Sequence, residues 1–375
     1  MSAAEFLQES NDLHARVQGF ALRGSEESFE ELALAIARFQ AKHIPAYTRL
    51  VEGRGSSLAN LDDIVAVPTD AFRLTRVAVH PPELDVARFV SSGTTSAARS
   101  HHPLRRLDTY QALSVHHGRA QLLGSGPTNR IVVALAPHPG DPPTSSLGCM
   151  MRAFMVAFDG RGLSVDPEGA LFDPDNPERW LVDSRGLNLP GLERAVRMGL
   201  ERQQPLLILA TSLALAHLLD VLGDRPLRCP KQTIVMQTGG AKGRVLKKTS
   251  RGLARGVARA LGIDVSQVVS EYGMTELASQ AYAHPEDERE PFVPPSWLRI
   301  SAVDPVKLTP VPPGEVGLAR FVDLGNVDSA VAVVTQDLIR CHSDGVELLG
   351  RRPGAPARGC SLDLEDLILV RGQTP

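Results

Sequence analysis

The chain has 375 residues, enough for a large hydrophobic core and two or three subdomains. A net charge of −3 and an aromatic content of 5% argue against a basic or base-stacking surface, and therefore against nucleic acid or anionic lipid as partners. No apolar segment approaches membrane-spanning length, and the acidic N-terminus lacks an apolar run, so neither membrane insertion nor a signal peptide is expected.

The cysteines lie far apart and form neither a CxxC pair nor a zinc-binding pattern. They are Cys149, Cys229, Cys341 and Cys360. A reducing, cytoplasmic environment suits such isolated thiols best. The sequence also lacks a Walker A motif, a GxGxxG loop, an HExxH pair and a G-x-S-x-G elbow, which argues against several common enzyme classes.

The N-terminal region, residues 1–50, is predicted to be helical. Ser28 and Glu31 form a capping-box pattern, apolar residues follow at helical spacing from Phe29 onward, and Pro45 ends that helix. No residue pattern in this region indicates a catalytic or binding site, and we expect it to contribute packing. The next forty residues or so mix glycine, proline and short apolar runs, and we interpret them as connections.

A cluster of hydroxyl groups around one glycine follows these connections: Ser91, Ser92, Gly93, Thr94 and Thr95. Hydroxyls and free backbone N–H groups donate well to phosphate oxygens, and glycine lets the main chain approach an anion closely. The guanidinium of Arg99 can form a bidentate pair of hydrogen bonds with a second phosphate group. The alternative is a flexible Ser/Thr loop, because short motifs often occur by chance.

Downstream of residue 100, aliphatic runs alternate with helical segments. A helix is predicted over 107–123, where His116 and His117 either face a pocket or, as we favour, lie on a solvated face. Strand-like runs follow at 130–135, 205–210 and 232–236, and helices at 190–203, 213–222 and 246–261. This alternation predicts βαβ units in a mainly parallel sheet, whose ligands bind beyond the carboxyl ends of the strands.

Two motifs directly follow predicted strands. Gly239 and Gly240 come after the strand at 232–236, and paired glycines let a flat base lie against the backbone. The second motif, Ser270-Glu271-Tyr272-Gly273-Met274-Thr275-Glu276, comes after a strand-like run at 265–269. It supplies a ring that can stack on adenine, a hydroxyl for a phosphate and a carboxylate for Mg²⁺.

The C-terminal region changes character near residue 291, where prolines cluster and strand-like runs follow at 316–322, 330–334 and 347–349. We therefore divide the chain into 1–290 and a small β-rich subdomain, 291–375. Within the subdomain, Asp337 can accept hydrogen bonds from ribose hydroxyls, and Gly350-Arg351 follows it. Cys360 stands beside Arg358, and nearby cations favour the reactive thiolate. The residues next to the other three cysteines in the sequence indicate no catalytic role, and these cysteines are predicted to be structural.

Each motif alone is weak, but together and in this order they resemble the motifs of adenylate-forming enzymes, including acyl-CoA ligases. The chain resembles the LuxE-type acyl-protein synthetases more closely, over most of its length, from about residue 44 to 366. That resemblance rests on the basic tail of the hydroxyl-rich loop, on a Ser-Ser-Leu segment and on an Arg-Gly-Cys-Ser-Leu segment. These segments are Arg99-Ser100-His101, Ser145-Ser146-Leu147 and Arg358-Gly359-Cys360-Ser361-Leu362.

The resemblance implies an α/β fold of the adenylate-forming N-terminal type, with parallel-sheet βαβ units and a small C-terminal β subdomain. Few residues follow Cys360, so no full C-terminal catalytic domain is expected. Residues 1–290 would then hold the ATP- and acyl-binding region. The implied nucleotide-binding residues are Ser91, Ser92, Gly93, Thr94, Thr95, Gly239, Gly240, Tyr272, Gly273, Asp337 and Arg351. The implied catalytic residues are Cys360, Arg99 and Thr275, with Glu276 as the metal ligand.

The implied activity is ATP- and Mg²⁺-dependent activation of a carboxylic acid, by family resemblance a fatty acid, as an acyl-adenylate. The acyl group would pass to a cysteine thiol and then to a partner such as an NADPH-dependent acyl reductase or an acyl-carrier protein. Two alternatives stay open. One is an acyl- or aryl-CoA ligase. The other is a degenerate acyl-binding or scaffold protein, because Ser96 replaces the usual glycine of the phosphate loop and no lysine follows it.

Overall fold

The computed structural model describes residues 3–91, 99–159, 173–239, 250–285 and 289–354. The helices in these ranges are α1 (Ala3–Arg23), α2 (Phe29–His43), α3 (Pro45–Gly53), α4 (Ala71–Leu74), α5 (Leu107–Gly118), α6 (Ser146–Phe158), α7 (Leu189–Glu201), α8 (Ser212–Leu222) and α9 (Ser250–Leu261). The strands are β1 (Val67–Pro68), β2 (Ala87–Val90), β3 (His101–Leu104), β4 (Ile131–Leu135), β5 (Val182–Asp183), β6 (Gly186–Leu187), β7 (Leu206–Thr211), β8 (Ile234–Thr238), β9 (Val268–Tyr272), β10 (Ala281–Ala283), β11 (Leu298–Val303), β12 (Val316–Asp323), β13 (Ala332–His342) and β14 (Gly345–Arg351).

A five-stranded sheet with the order β10-β9-β8-β7-β4 forms the centre of the α/β region. Strands β4, β7, β8 and β9 run parallel, and β10 closes one edge antiparallel to β9. Helices α5 and α6 cover one face, and α7, α8 and α9 cover the other. Because both faces are covered, β7 is buried along its whole length, and it is apolar from Leu206 to Ala210. The predicted parallel βαβ architecture is confirmed.

The second sheet combines the antiparallel strands β11, β12, β13 and β14 with β1, which lies parallel to β13. This confirms the predicted C-terminal β-rich region. The N-terminal helices share its core, since Ile36 and Phe39 of α2 belong to the same buried cluster as Phe321 and Val333. The division of the chain at residue 290 stays a prediction. A boundary there would separate residues on its two sides that pack in this shared core.

Helix α2 shows how local sequence signals and tertiary contacts fix one element. Ser28 and Glu31 form the predicted capping box, and Pro45 lies in the first turn of α3, where its missing N–H is not needed. The side chain of Gln40 is buried; its amide donates to the carbonyl of Asn326 at 2.7 Å, and its carbonyl accepts from the N–H of Val331 at 2.8 Å. These bonds hold α2 against the second sheet.

Helix α5 corrects one prediction. It ends at Gly118 and continues as a π-helical turn over Arg119–Leu123. His116 is exposed, as expected of a solvated face, but His117 is buried and packs edge-on against Tyr282 and Trp297. Burial lowers the pKa of His117 to about 4, so this ring is neutral at physiological pH.

Within the part of the chain that the structure describes, no helix is both long and apolar enough to cross a bilayer.

Candidate functional site

The carboxyl ends of β8 and β9 bring several of the predicted site residues to one edge of the parallel sheet. Thr238 ends β8 and pairs in register with Glu271, and Tyr272 ends β9. The loop that carries Thr275 and Glu276 follows directly, and both residues are buried. This is the edge at which ligands bind in open parallel sheets.

Tyr272 lies between the two sheets and joins two other predicted nucleotide-binding residues. Its hydroxyl donates to Asp337 Oδ2 at 2.9 Å, and Asp337 Oδ1 lies 3.6 Å from Nε of Arg351. Its ring stacks on Phe321, with ring centroids 6.0 Å apart and planes 13° apart. Burial and the neighbouring Asp337 raise the pKa of Tyr272 well above its ordinary value, so the phenol stays protonated and donates.

The hydroxyl-rich loop connects the hairpin strands β2 and β3. At its base, the N–H of Ser91 donates to the carbonyl of Ser100 at 3.0 Å, and the N–H of Ser100 donates to Ser91 Oγ at 2.9 Å. Arg99 is exposed at the far end of the loop. The remaining predicted phosphate-binding residues, Ser92, Gly93, Thr94 and Thr95, lie outside the described residues. A role for the loop in binding phosphate stays a prediction.

His102 on β3 links this hairpin to the motif loop after β9. Its Nδ1 donates to the carbonyl of Thr275 at 2.7 Å, and because a carbonyl only accepts, Nδ1 carries the proton. The ring packs edge-on against Phe72 and Phe89. Burial lowers the pKa of His102 to about 4, which keeps the ring neutral. We assigned His102 no role from sequence, although it follows the basic tail of the loop.

Replacing His102 with glutamine is expected to reduce the pH dependence of stability. The pKa of His102 is about 4 in the folded protein and near 6.5 when unfolded. The contribution of the neutral ring to the free energy of unfolding is therefore complete above the unfolded-state pKa, and it is lost as the pH falls toward the folded-state pKa. Between pH ~7.5 and ~5 the loss is about 2 kcal/mol. Urea unfolding of wild type and His102→Gln at both pH values measures it.

His116→Gln is the matched control, because His116 is exposed on α5. This variant should keep the full wild-type pH dependence. The neutral glutamine amide at position 102 can still donate to the Thr275 carbonyl, so His102→Gln should keep this hydrogen bond. If the variant loses stability equally at both pH values, so that the difference in the free energy of unfolding between them is unchanged, the pH dependence does not come from His102.

Gly239 follows β8 with a φ of +81°, a left-handed conformation that favours glycine. Its carbonyl accepts a hydrogen bond from the hydroxyl of Ser212 at the start of α8. Gly240 lies outside the described residues. The backbone after β8 is therefore held close to α8, and the adenine-binding role of this glycine pair is still a prediction.

Glu271 is a buried carboxyl that we did not select from the sequence. It accepts a hydrogen bond from the hydroxyl of Thr238 on the neighbouring strand. A β-carbon at position 273 would lie only 2.7 Å from Glu271 Oε1, so a larger residue there would have to displace this carboxyl. Burial raises the pKa of Glu271 to about 7. The local signal was a glutamate directly after the strand-like run Val268-Val269-Ser270.

Glu276, the predicted metal ligand, is 2% exposed, and its backbone carbonyl accepts from the side-chain amide of Asn326 at 3.0 Å. The described ranges hold no group of three or more His, Cys, Asp or Glu residues placed to bind a metal. A single carboxylate fits Mg²⁺ bound together with a nucleotide, because Mg²⁺ in such sites takes one or two carboxylates, waters and phosphate oxygens.

Three cysteines lie within the described residues, and none has the environment of a reactive thiol. Burial raises the pKa of Cys149 to about 11 and that of Cys229 to about 12, and it also raises the pKa of Cys341. At neutral pH all three are protonated and poorly nucleophilic. Cys360, the predicted acyl acceptor, lies outside the described residues.

Residues 198–368 match the family model described as "Acyl-protein synthetase, LuxE". No curated protein gives a significant match. A structure of 2-hydroxyisobutyryl-CoA ligase, in complex with 2-HIB-AMP and CoA in the thioesterification state, is similar with a TM-score of 0.58 and 16% identity, covering 94% of this chain and 69% of that one.

An open conformation of the same ligase, also in complex with 2-HIB-AMP and CoA, gives a TM-score of 0.56 at 16% identity and covers 86% of this chain and 74% of that chain. At such low identity the likeness shows the fold, which is the adenylate-forming ligase fold expected from the sequence. Residues 198–368 therefore carry the sequence pattern of the LuxE acyl-protein synthetases within an adenylate-forming ligase fold, which confirms the resemblance noted above over that part of the chain.

Proposed function

We propose that this protein uses ATP to activate a carboxylic acid as an acyl-adenylate. A carboxylate oxygen of the acid attacks the α-phosphorus of ATP, and the bond from that phosphorus to the pyrophosphate oxygen breaks. The observation that carries the proposal is the meeting of Tyr272, Asp337 and Arg351 beside the loop of Thr275 and Glu276, at the ligand-binding edge of the parallel sheet.

In this proposal each side chain of the site binds a different part of the nucleotide. Tyr272 offers a ring face to adenine, and Asp337 accepts hydrogen bonds from ribose hydroxyls. The hydroxyl of Thr275 donates to the α-phosphate, and Arg99 with the loop from Ser91 supplies donors for charge on the phosphates. Mg²⁺ bound by Glu276 would neutralise phosphate charge. The protein thus acts mainly by positioning the reactants and stabilising charge.

The second step that we propose is transfer of the acyl group to the Cys360 thiol. The thiolate attacks the acyl carbon, a thioester forms and AMP leaves. A reduced thiol is required, which suits the cytoplasm. The activated acyl group then needs an acceptor, and we propose an NADPH-dependent acyl reductase or an acyl-carrier protein that contacts the C-terminal β-rich region.

ATP–pyrophosphate exchange across a panel of carboxylic acids tests the first step. We expect exchange that requires both the acid and Mg²⁺. Failure of every acid, together with no ATP binding in calorimetry, would favour the degenerate acyl-binding protein instead.

Coenzyme A is a second candidate acceptor. The structurally similar 2-hydroxyisobutyryl-CoA ligase was solved with CoA, and that observation favours the alternative. Single-turnover assays distinguish the two. Transfer from the adenylate to CoA without any acylated protein would favour a CoA ligase, and acylated protein formed without CoA would favour the internal thiol. Acyl transfer from labelled protein to candidate reductases and carrier proteins then tests the partner class.

Replacing Asp337 with alanine is expected to weaken ATP binding by about 1.5–3 kcal/mol, the scale of a lost hydrogen bond involving a charged group. Isothermal calorimetry with ATP measures the change. The matched control is Asp344→Ala at the exposed tip of the β13–β14 hairpin, which should bind ATP as wild type does. Unchanged affinity in Asp337→Ala would limit Asp337 to its contacts with Tyr272 and Arg351.

A further inference from the structure

The loop between β9 and β10 carries Thr275 and Glu276, the two side chains proposed to bind the α-phosphate and Mg²⁺. It spans residues 273–280 and is neither helix nor strand. One turn within it is closed by a hydrogen bond from the N–H of Leu277 to the carbonyl of Met274 at 3.1 Å. The position of the rest of the loop therefore depends on contacts with other elements of the fold.

Asp323, the last residue of β12, binds this loop from the second sheet. Its buried carboxylate accepts hydrogen bonds from the N–H of Ala278 at 2.9 Å and from the hydroxyl of Ser279 at 2.6 Å. The Ser279 hydroxyl in turn accepts from the indole N–H of Trp297 at 3.1 Å. Because an ionised carboxylate only accepts, the donors of the loop are held in one direction, toward Asp323.

Asn326, three residues later, binds the loop at Glu276 itself. Its buried side-chain amide donates to the Glu276 carbonyl at 3.0 Å. The chain turns tightly between the two contacts, since the N–H of Asn326 donates to the carbonyl of Asp323 at 3.0 Å. A β-carbon at position 325 would lie only 2.9 Å from that of Ala278, so this turn and the loop are in close contact.

The Asp323 carboxylate is buried without a cation beside it. No lysine or arginine in the described ranges offsets its charge, and burial raises its pKa from the ordinary value of 3.8 to about 6. Because the folded-state pKa is the higher of the two, ionisation of Asp323 opposes folding as the pH rises through these values. An aspartate at this position therefore serves the geometry of the loop better than it serves stability.

We propose that Asp323 and Asn326 are positioning residues for Thr275 and Glu276. They fix the backbone of the loop so that these two side chains face the phosphates and the Mg²⁺ of a bound nucleotide. His102 holds the other side of the loop through the Thr275 carbonyl. The inference rests on the proposed function. Groups that orient metal-binding side chains typically change metal affinity or activity roughly 10–100-fold when they are replaced.

Asp323→Asn and Asn326→Ala test the inference in ATP–pyrophosphate exchange. The first variant has one acceptor oxygen instead of two in nearly the same volume, so it loses a hydrogen bond to the loop. The second leaves the Glu276 carbonyl without its amide donor. We expect each variant to lower the kcat of exchange roughly 10–100-fold and to need more Mg²⁺ for half-maximal exchange.

Calorimetry gives a second readout that does not depend on turnover. The gain in ATP affinity on adding Mg²⁺ should fall in both variants roughly 10–100-fold, because the metal-binding side chain is no longer held in place. The affinity for ATP without Mg²⁺, which the proposal assigns mainly to Tyr272 and Asp337, should stay near the wild-type value. A residue that only stabilises the fold would not separate these two affinities.

Asp328→Asn is the matched control, because Asp328 is a second buried carboxylate from the same part of the chain. It accepts from the N–H groups of Arg105 at 2.9 Å and Arg106 at 3.0 Å, and it lies 3.0 Å from His14 Nε2. None of these groups belongs to the loop of residues 273–280. This variant should unfold at a lower temperature and keep the wild-type kcat and Mg²⁺ dependence. If both change as much as in Asp323→Asn, the effects report a general loss of stability and the inference is overturned.

Ser279→Ala tests the same contact if thermal unfolding shows that Asp323→Asn is not folded. It removes the hydroxyl donor and leaves the carboxylate in place, and it should change kcat and the gain from Mg²⁺ in the same direction. Folded variants that keep the wild-type kcat and the wild-type gain from Mg²⁺ overturn the inference and leave the proposed function intact, since wild type still exchanges. Absence of exchange with every acid in wild type, together with absence of ATP binding, overturns both.

Discussion

Glu276→Ala is expected to reduce Mg²⁺-dependent ATP–pyrophosphate exchange by at least about 100-fold, the scale of losing one group that stabilises developing charge. The proposed role of Glu276 is to bind the Mg²⁺ that accompanies the nucleotide. The described residues hold no group of three or more His, Cys, Asp or Glu side chains placed to bind a metal, so no such group is available there to replace Glu276. Exchange rates across a Mg²⁺ titration measure the effect.

The variant should remain folded, because the hydrogen bond that Glu276 makes to Asn326 uses the backbone carbonyl and survives the substitution. Glu315→Ala removes an exposed glutamate just before β12 and is the matched control for the loss of one negative charge. It should exchange as wild type does. Near-normal exchange by a folded Glu276→Ala protein would remove Glu276 from the metal site.

The parallel sheet was predictable because each strand is a short apolar run bounded by turn residues. The predicted strands at 130–135, 205–210 and 232–236 correspond to β4, β7 and β8, with shifts of a residue or two at the ends. The run at 265–269 was less accurate. Asp264 caps a 3₁₀ turn over Val265–Gln267, so β9 begins only at Val268, and here a local side-chain cap prevails over β propensity.

The site was predictable only as separate motifs, since the contacts that join them are distant in sequence. The hydrogen bond from Tyr272 to Asp337 spans 65 residues, and that from His102 to Thr275 spans 173. Glu271 was missed because its importance depends on the register that places Thr238 beside it. The burial of His117 likewise depends on Trp297, on another element. Local patterns identify residues with suitable chemistry, and tertiary contacts decide which of them meet.

Cys360→Ser is expected to keep acid-dependent exchange close to the wild-type rate and to lose all hydroxylamine-labile acyl labelling of the protein. Exchange reports adenylate formation, which uses no thiol, whereas labelling reports the thioester. Serine at position 360 can at most form an oxygen ester, which resists neutral hydroxylamine. Incubation with labelled acid and ATP, followed by hydroxylamine treatment, separates the two steps.

The choice of Cys360 over the other cysteines follows from thiolate chemistry. A thiol with a pKa of about 11, like that of Cys149, is ionised in only roughly one molecule in ten thousand at pH ~7, and Cys229, with a pKa of about 12, is ionised less still. An ordinary thiol with a pKa near 8.5 is a few per cent ionised, and arginines such as Arg358 beside Cys360 would raise that fraction.

Cys229→Ser is therefore the matched control and should be labelled as wild type is. Hydroxylamine-labile label on Cys360→Ser would assign the acyl group to another cysteine, and loss of exchange in that variant would mean that Cys360 supports adenylate formation rather than the transfer step.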